Sequence, residues 1–279
     1  MSENEPTLRK SCAAELVGTF LLIFFGCGSV HAAVTLDAFS GVWQVASMWG
    51  FGVTLAVYAV GSISGAHINP AITVASACFG GFPGSRVLPY VGSQLAGAFL
   101  AAAALHMIFS GSIKTYEEEN GIVRGDPGSE VTASMYGEYF PNPTVDLHGS
   151  DGGPRLDNLT TPAAVFAELV ATAILAFCVF SFTDPRNRGG PGERLAPLFI
   201  GVTVTLLIGV LGPLTQACLN PARDFGPRLF ASLAGWGSYA WTGQVGVASI
   251  LAVYACAPIA GAVIGAGAYK LIIGSAQPE

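Results

Sequence analysis

Charge is what this sequence has least of. Only 11% of its 279 residues are Asp, Glu, Lys or Arg, against about 25% in an ordinary soluble domain. Basic residues are the scarcer kind, 12 against 18 acidic, so the net charge of −6 leaves no positive surface to attract a nucleic acid. Six cysteines (Cys12, Cys27, Cys78, Cys178, Cys218 and Cys256) lie singly in or beside apolar runs and lack metal-ligand spacing. They read as packing residues, which excludes a disulfide scaffold. A nucleophile–base pair, a phosphate-binding loop and a metal constellation are all missing from the pattern. An enzyme is therefore not expected, nor is a cofactor or a metal.

What the chain has is apolar length. Hydrophobic residues make up 52% of it, glycine contributes 36 positions, and the mean hydropathy is +0.56. A bilayer core of about 30 Å needs roughly 20 apolar residues per helix. Six stretches qualify, at about residues 12–35, 42–61, 86–110, 161–183, 195–213 and 247–273. The first is too long for a cleaved signal peptide and contains Glu15, so it is expected to stay in the protein.

Lysine and arginine set the orientation. Arg9 and Lys10 precede the first stretch, Arg86 opens the third, Arg186, Arg188 and Arg194 flank the fourth-to-fifth connection, and Lys270 closes the sixth. With six crossings these positions share one side, predicting that both termini are cytoplasmic in a plasma membrane or bacterial inner membrane. Residues 111–160 face the other way. There, nine carboxylates, Glu138 among them, outnumber Lys114, Arg124 and Arg155. The segment is too long for a plain helix connection, and its Tyr136, Tyr139, Phe140, Pro141 and Pro143 argue for an ordered outer loop over a pore mouth or against lipid headgroups. The triplet Asn158-Leu-Thr160 is compatible with an outer glycosylation site.

The chain also repeats itself. Ala14-Glu15-Leu16-Val17 returns as Ala167-Glu168-Leu169-Val170, 153 residues on; Asn69-Pro70-Ala71 returns as Asn220-Pro221-Ala222, 151 residues on. Each repeat holds three spans, an odd number, so the copies insert in opposite directions around a pseudo-two-fold axis in the membrane plane. The first repeat occupies 12–110 and the second 161–273, within one channel domain over 1–279.

Each Asn-Pro-Ala opens a segment too short to span, 70–79 and 221–233. Ten or so residues at 1.5 Å each make about 15 Å, so two such half-helices end to end match the hydrocarbon. Asn is a good N-cap and Pro suits the first helical position, and two facing N-termini concentrate positive potential where they meet, a barrier to protons and cations. The residues ahead of the triplets, Gly65-Ala66-His67 and Gln216-Ala217-Cys218, must run extended. Their carbonyls are candidates for a ladder of acceptors, since bare backbone at that depth survives only beside protein or water. The expected fold is an all-α membrane protein with six transmembrane helices and two re-entrant half-helices in an inverted repeat.

At this point the sequence resembles the major intrinsic proteins, and among them the aquaglyceroporins. The likeness runs from Ala14-Glu15 through Ser64-Gly65-Ala66-His67-Ile68-Asn69-Pro70-Ala71, Ile122-Val123-Arg124-Gly125 and Pro141-Asn142-Pro143 to Gly212-Pro213-Leu214-Thr215. It continues through Leu219-Asn220-Pro221-Ala222-Arg223-Asp224-Phe225-Gly226-Pro227-Arg228 and Ala234-Gly235-Trp236-Gly237. It implies an aquaporin-like homotetramer with one pore per subunit. Asp224 is the mark that separates glycerol conductors from water-selective relatives. The resemblance places a selectivity filter at Trp49, Gly209, Ala217 and Arg223, and has Glu15 and Glu168 accept N–H bonds that hold the extended loops. Two departures stand out: Ala217 occupies a position where an aromatic is usual, and Gly209-Val-Leu-Gly212 is one residue shorter than the usual connection. A wider filter follows.

Each residue has a plainer reading as well. Arg223 offers a fork of donors to two adjacent hydroxyls and repels cations, or it is an arginine buried against outer-loop carbonyls. Trp49 packs the CH face of a polyol, or it belongs to an interfacial belt, as Trp43 does. Glu15 and Glu168 would be a proton relay if the protein were an ion-coupled transporter. His67 lines the pore by its ring or only by its carbonyl. Asp224 orients loop groups rather than touching solute, and His106 is structural. Gly61 with Gly65, and Gly261 with Gly265, permit close helix contact. The function expected is a passive channel for glycerol and other small uncharged solutes, with some water conduction and with protons and ions excluded. The alternative is a water-dominant or broad pore that admits urea or metalloid hydroxides.

Overall fold

The computed structural model describes residues 6–144 and 159–276. The sequon residue Asn158 and the loop residues Asp146, Asp151, Arg155 and Asp157 lie outside the described residues. Among the described residues, six helices are long and apolar enough to cross a bilayer: Leu8–Leu36, Val42–Ser64, Gly84–Asn120, Thr161–Thr183, Ala196–Thr215 and Val247–Ala276. No strand occurs among the described residues. Local chemistry sets several ends. Thr7 and Thr160 accept N-cap bonds from Lys10 and Ala163, and Gly65 closes the second span at φ 83°, a left-handed turn that favours glycine.

Two shorter helices, Pro70–Phe79 and Pro221–Ala231, follow the two extended loops. Each starts at an asparagine with proline in its first turn. The second stops short of the expected residue 233, because the chain leaves the α-helix at Ser232 and turns at Gly235, φ 117°.

The third span runs ten residues further than the hydropathy suggests, to Asn120. At 37 residues it is about 55 Å long, far more than the hydrocarbon needs. Its last turns therefore project beyond the apolar layer, where Lys114 and Glu118 form an exposed i,i+4 pair. The outer connection begins at Gly121, not at residue 111.

The repeat is visible in how the spans touch. A Cβ on Gly97 would stand 2.2 Å from the carbonyl oxygen of Leu16, and one on Gly261 would stand 2.2 Å from that of Leu169, the repeat mate of Leu16. A Cβ on Gly265 would meet the Ala173 oxygen at 1.9 Å. Spans one and three, and spans four and six, thus cross backbone to backbone. Spans two and five meet at Gly50 and Gly201, each too close to the other's carbonyl for a side chain. Gly61 is not such a contact: its nearest neighbours are at 3.9 and 4.0 Å, and Gly65 serves the turn instead.

Valine at Gly97 or Gly261 should force these crossings apart at about 1–3 kcal/mol or more. Thermal unfolding in detergent should show a large loss for both, and none for Gly111→Val, where nothing lies within 4 Å. Equal stability of all three would contradict the packing.

Candidate functional site

The two half-helices meet through their caps. Asn69 Oδ1 accepts from the Ala71 N–H at 2.8 Å, and Asn220 Oδ1 accepts from those of Ala222 and Arg223 at 3.0 and 3.4 Å. Across the junction, Asn69 Nδ2 donates to the Leu219 carbonyl at 2.8 Å, and Asn220 Nδ2 donates to the Ile68 carbonyl, also at 2.8 Å. A primary amide has two N–H donors. The cross-link uses one from each, and both asparagines line an open cavity.

Buried carboxylates hold the extended loops that reach this point. Glu15 accepts from the backbone N–H of His67 and Ile68 at 2.9 and 2.7 Å, from the Ser64 hydroxyl and from Gln94 Nε2. Glu168 accepts from Cys218 and Leu219 N–H at 2.9 and 3.0 Å and from the Thr215 hydroxyl at 2.6 Å. Both are fully buried. Ala66 and Ile68, and their mates Ala217 and Leu219, take left-handed φ values of 43–56°, a conformation costing about 1–2 kcal/mol per residue. The cost is met because each carboxylate collects the N–H groups on one side, which turns the carbonyls to the other.

The cavity of about 700 Å³ runs from Trp49 and Arg223 past both asparagines to Lys270 and Asp184. One wall is the pair of loops, lined by Gly65, Ala66, His67 and Ile68 and by Ala217, Cys218 and Leu219. Facing it are apolar side chains of the spans, including Leu22, Val53, Leu175 and Val204. Leu22 and Leu175 are repeat mates, as are Val53 and Val204. At the far end, the Arg186 guanidinium holds the Asp184 carboxyl well below the usual carboxylate range.

His67 faces the cavity with its ring held. Its Nδ1 lies 3.3 Å from the Thr73 hydroxyl, which also reaches the Asn69 carbonyl at 2.9 Å.

Two sequence assignments do not hold in place. Gly209 does not line the cavity, and a Cβ there would meet the Trp43 ring at 3.6 Å. Ile208, the residue before it, is on the cavity wall instead. Gln216 is not on the wall either. Its side chain is turned to the outer loop, accepting from the Tyr139 N–H at 2.7 Å. Ile68 and Leu219, whose carbonyls accept from the two asparagines, line the cavity as well.

Sequence reasoning offered outer-loop carbonyls as partners for Arg223 but did not single out Tyr136 or Glu138. Arg223 stacks on the Trp49 ring, 4.4 Å from its centroid. It donates to the Tyr136 carbonyl at 2.8 Å and pairs through Nε with Glu138 Oε1 at 2.6 Å. Glu138 was one carboxylate among nine in an acidic segment, and the loop has no counterpart in the other repeat to mark it. Asp224 points away from the cavity, accepting from the Glu138 N–H at 2.6 Å and pairing with Arg228 at 2.7 Å. His106 bonds the Tyr136 hydroxyl at 2.6 Å, outside the cavity.

A family model described as Major intrinsic protein matches residues 2–269. The chain belongs to the major intrinsic protein family. Its relatives include the glycerol uptake facilitator protein of Haemophilus influenzae, 42% identical over 274 residues that cover 98% of this chain and 97% of the relative. The protein of the same name from Escherichia coli is 42% identical over 98% of this chain and 91% of its own. The X-ray structure of the aquaglyceroporin from Plasmodium falciparum superposes with a TM-score of 0.78 over 96% of this chain and 97% of that one; at 23% identity the likeness is one of fold. As a major intrinsic protein, this chain is a multi-pass membrane protein.

Replacing Glu168 with Ala orphans the Cys218 and Leu219 N–H groups and the Thr215 hydroxyl, at about 1–3 kcal/mol each. Thermal unfolding should show a large loss for Glu168→Ala and a smaller one for Glu168→Gln, which keeps one acceptor. Wild-type stability in both would remove the carboxylate from loop support.

Proposed function

We propose that this major intrinsic protein is a passive channel for glycerol and other small uncharged solutes, conducting some water and excluding protons and ions. The observation that carries the reading is the two-faced passage: a file of carbonyls, amides and one guanidinium opposite aliphatic and indole surface. A polyol has the same two faces. Its hydroxyls meet Arg223, the loop carbonyls and the free N–H of Asn69 and Asn220, while its CH backbone lies on Trp49 and the aliphatic wall. The names of the H. influenzae and E. coli relatives agree with glycerol as cargo.

Proton exclusion in this reading comes from the junction. Each asparagine presents only donors to the passage, so a water between them turns its lone pairs to both and cannot hand a proton along the file. The half-helix N-termini add positive potential at the same place. Glu15 and Glu168 have their oxygens committed to loop donors, which supports a structural role rather than ion coupling. No chemistry is catalysed and no cofactor is required. We further propose a homotetramer with a pore in each subunit, in a bacterial inner membrane with both termini cytoplasmic.

Ala217, 3% exposed and on the cavity wall, leaves the filter wider than an aromatic would, which favours passage of urea and larger polyols beside glycerol. Stopped-flow light scattering on proteoliposomes should show rapid glycerol entry, insensitive to proton or sodium gradients. Rapid water flow with little glycerol flux would overturn the assignment. Ala217→Phe should slow larger polyols more than water and Ile208→Gly should do the reverse. Gly209→Ala should change neither; a shift with Gly209→Ala alone would put that residue back in the filter.

A further inference from the structure

The filter arginine does not stand alone. Arg223, Glu138, Asp224 and Arg228 form a cluster of four ionic side chains exposed by 4%, 1%, 0% and 0%. Two are positive and two negative, so the cluster's net charge is zero. Asp224 is taken by Arg228, which grips it through Nε and NH2 at 2.8 and 2.7 Å. The direct ion pair to Arg223 is made by Glu138.

Glu138 does not need its carboxylate to stay in place. Its N–H is held by Asp224 Oδ1 and its carbonyl accepts from Arg228. On its amino side Gly137 passes so close to Arg228 that a Cβ would stand 2.9 Å from the guanidinium carbon. Among the described residues the side chain makes one polar contact, to Arg223, and its second oxygen is buried without a hydrogen-bond partner. An unpartnered carboxylate oxygen is costly in a buried site. Its negative potential falls on the guanidinium it pairs with.

The geometry points to Glu138 as a positioning and specificity-determining residue: it clamps the Arg223 guanidinium against Trp49 and cancels its charge, making the filter a neutral hydrogen-bond donor instead of an anion-attracting cation. This rests on the channel reading above. The passage already carries positive potential from the two half-helix N-termini. An uncompensated arginine in the same water-poor file would add to it and draw small anions in, while the pair offers a solute the arginine's remaining N–H donors with no net charge. Exclusion of anions then belongs to Glu138, and exclusion of cations to the half-helix junction.

The test is chloride permeability of proteoliposomes, read with a chloride electrode and normalised to reconstituted protein, with glycerol flux followed on the same vesicles. Glu138→Gln keeps an acceptor for Arg223 but removes the charge; chloride permeability should rise on the order of tenfold or more, since an uncancelled charge a few ångströms from the path acts in a low dielectric. Glu138→Asp keeps the charge and should hold chloride near the wild-type level. The double variant Glu138→Gln with Arg223→Gln restores zero net charge and should return chloride to that level. Chloride exclusion by Glu138→Gln equal to wild type, or equal leaks in the Gln and Asp variants, would overturn the inference. Should Glu138→Gln not fold, the double variant should be recovered in higher yield than the single one, and no gain would equally overturn it. Wild-type vesicles that pass no glycerol would end the channel reading, whereas the comparison of chloride among variants stands apart from it.

Discussion

A peptide group in hydrocarbon must find a hydrogen-bond partner, and this structure is organised around two places where the chain leaves the helix at mid-span. Unsatisfied, each group would cost several kcal/mol. Glu15 and Glu168 answer for the N–H side of both loops, the crossed asparagine caps answer for Ile68 and Leu219, and the remaining carbonyls are left to the cavity. A passage follows from this division, lined by Gly65, Ala66 and His67 on one loop and by Ala217 and Cys218 on the other.

The same division explains why residues that favour other conformations accept left-handed ones. Ile68 is β-branched and Leu219 bulky, yet both sit at positive φ because their N–H groups are committed to a carboxylate and their carbonyls to an asparagine. The two loops are not identical. Gln94 adds a donor to Glu15 and also reaches Thr73, which in turn fixes the His67 ring. Glu168 has no such amide among its partners. The first-repeat side of the cavity thus carries His67 and the second-repeat side carries Arg223, making the proposed pathway asymmetric about its symmetric centre.

Much of this was legible in the sequence, because a repeat states its information twice. One Asn-Pro-Ala says little; two at matched offsets, each before an apolar segment too short to span, required half-helices. Six spans could be read from hydropathy, but the third was cut short, since Gly111–Asn120 is polar helix beyond the apolar layer and carries no membrane signal. Ile208 was missed because the fifth span is apolar on nearly every face, so no local pattern says which residue lines the cavity. Glu138 and Tyr136 were missed because the outer loop occurs once. Their importance lies in a contact with Arg223 across 85 and more residues of chain, and only folding brings it about.

The central claim is that two capped half-helices meeting mid-span make the route a solute takes. A high-resolution structure of the protein in lipid with glycerol tests it directly. The account predicts ordered solute oxygens within hydrogen-bond distance of Arg223 and of the Nδ2 atoms of Asn69 and Asn220, with carbon atoms turned to Trp49 and the aliphatic wall. Glycerol bound elsewhere, with the file between Arg223 and the asparagines closed, would contradict it.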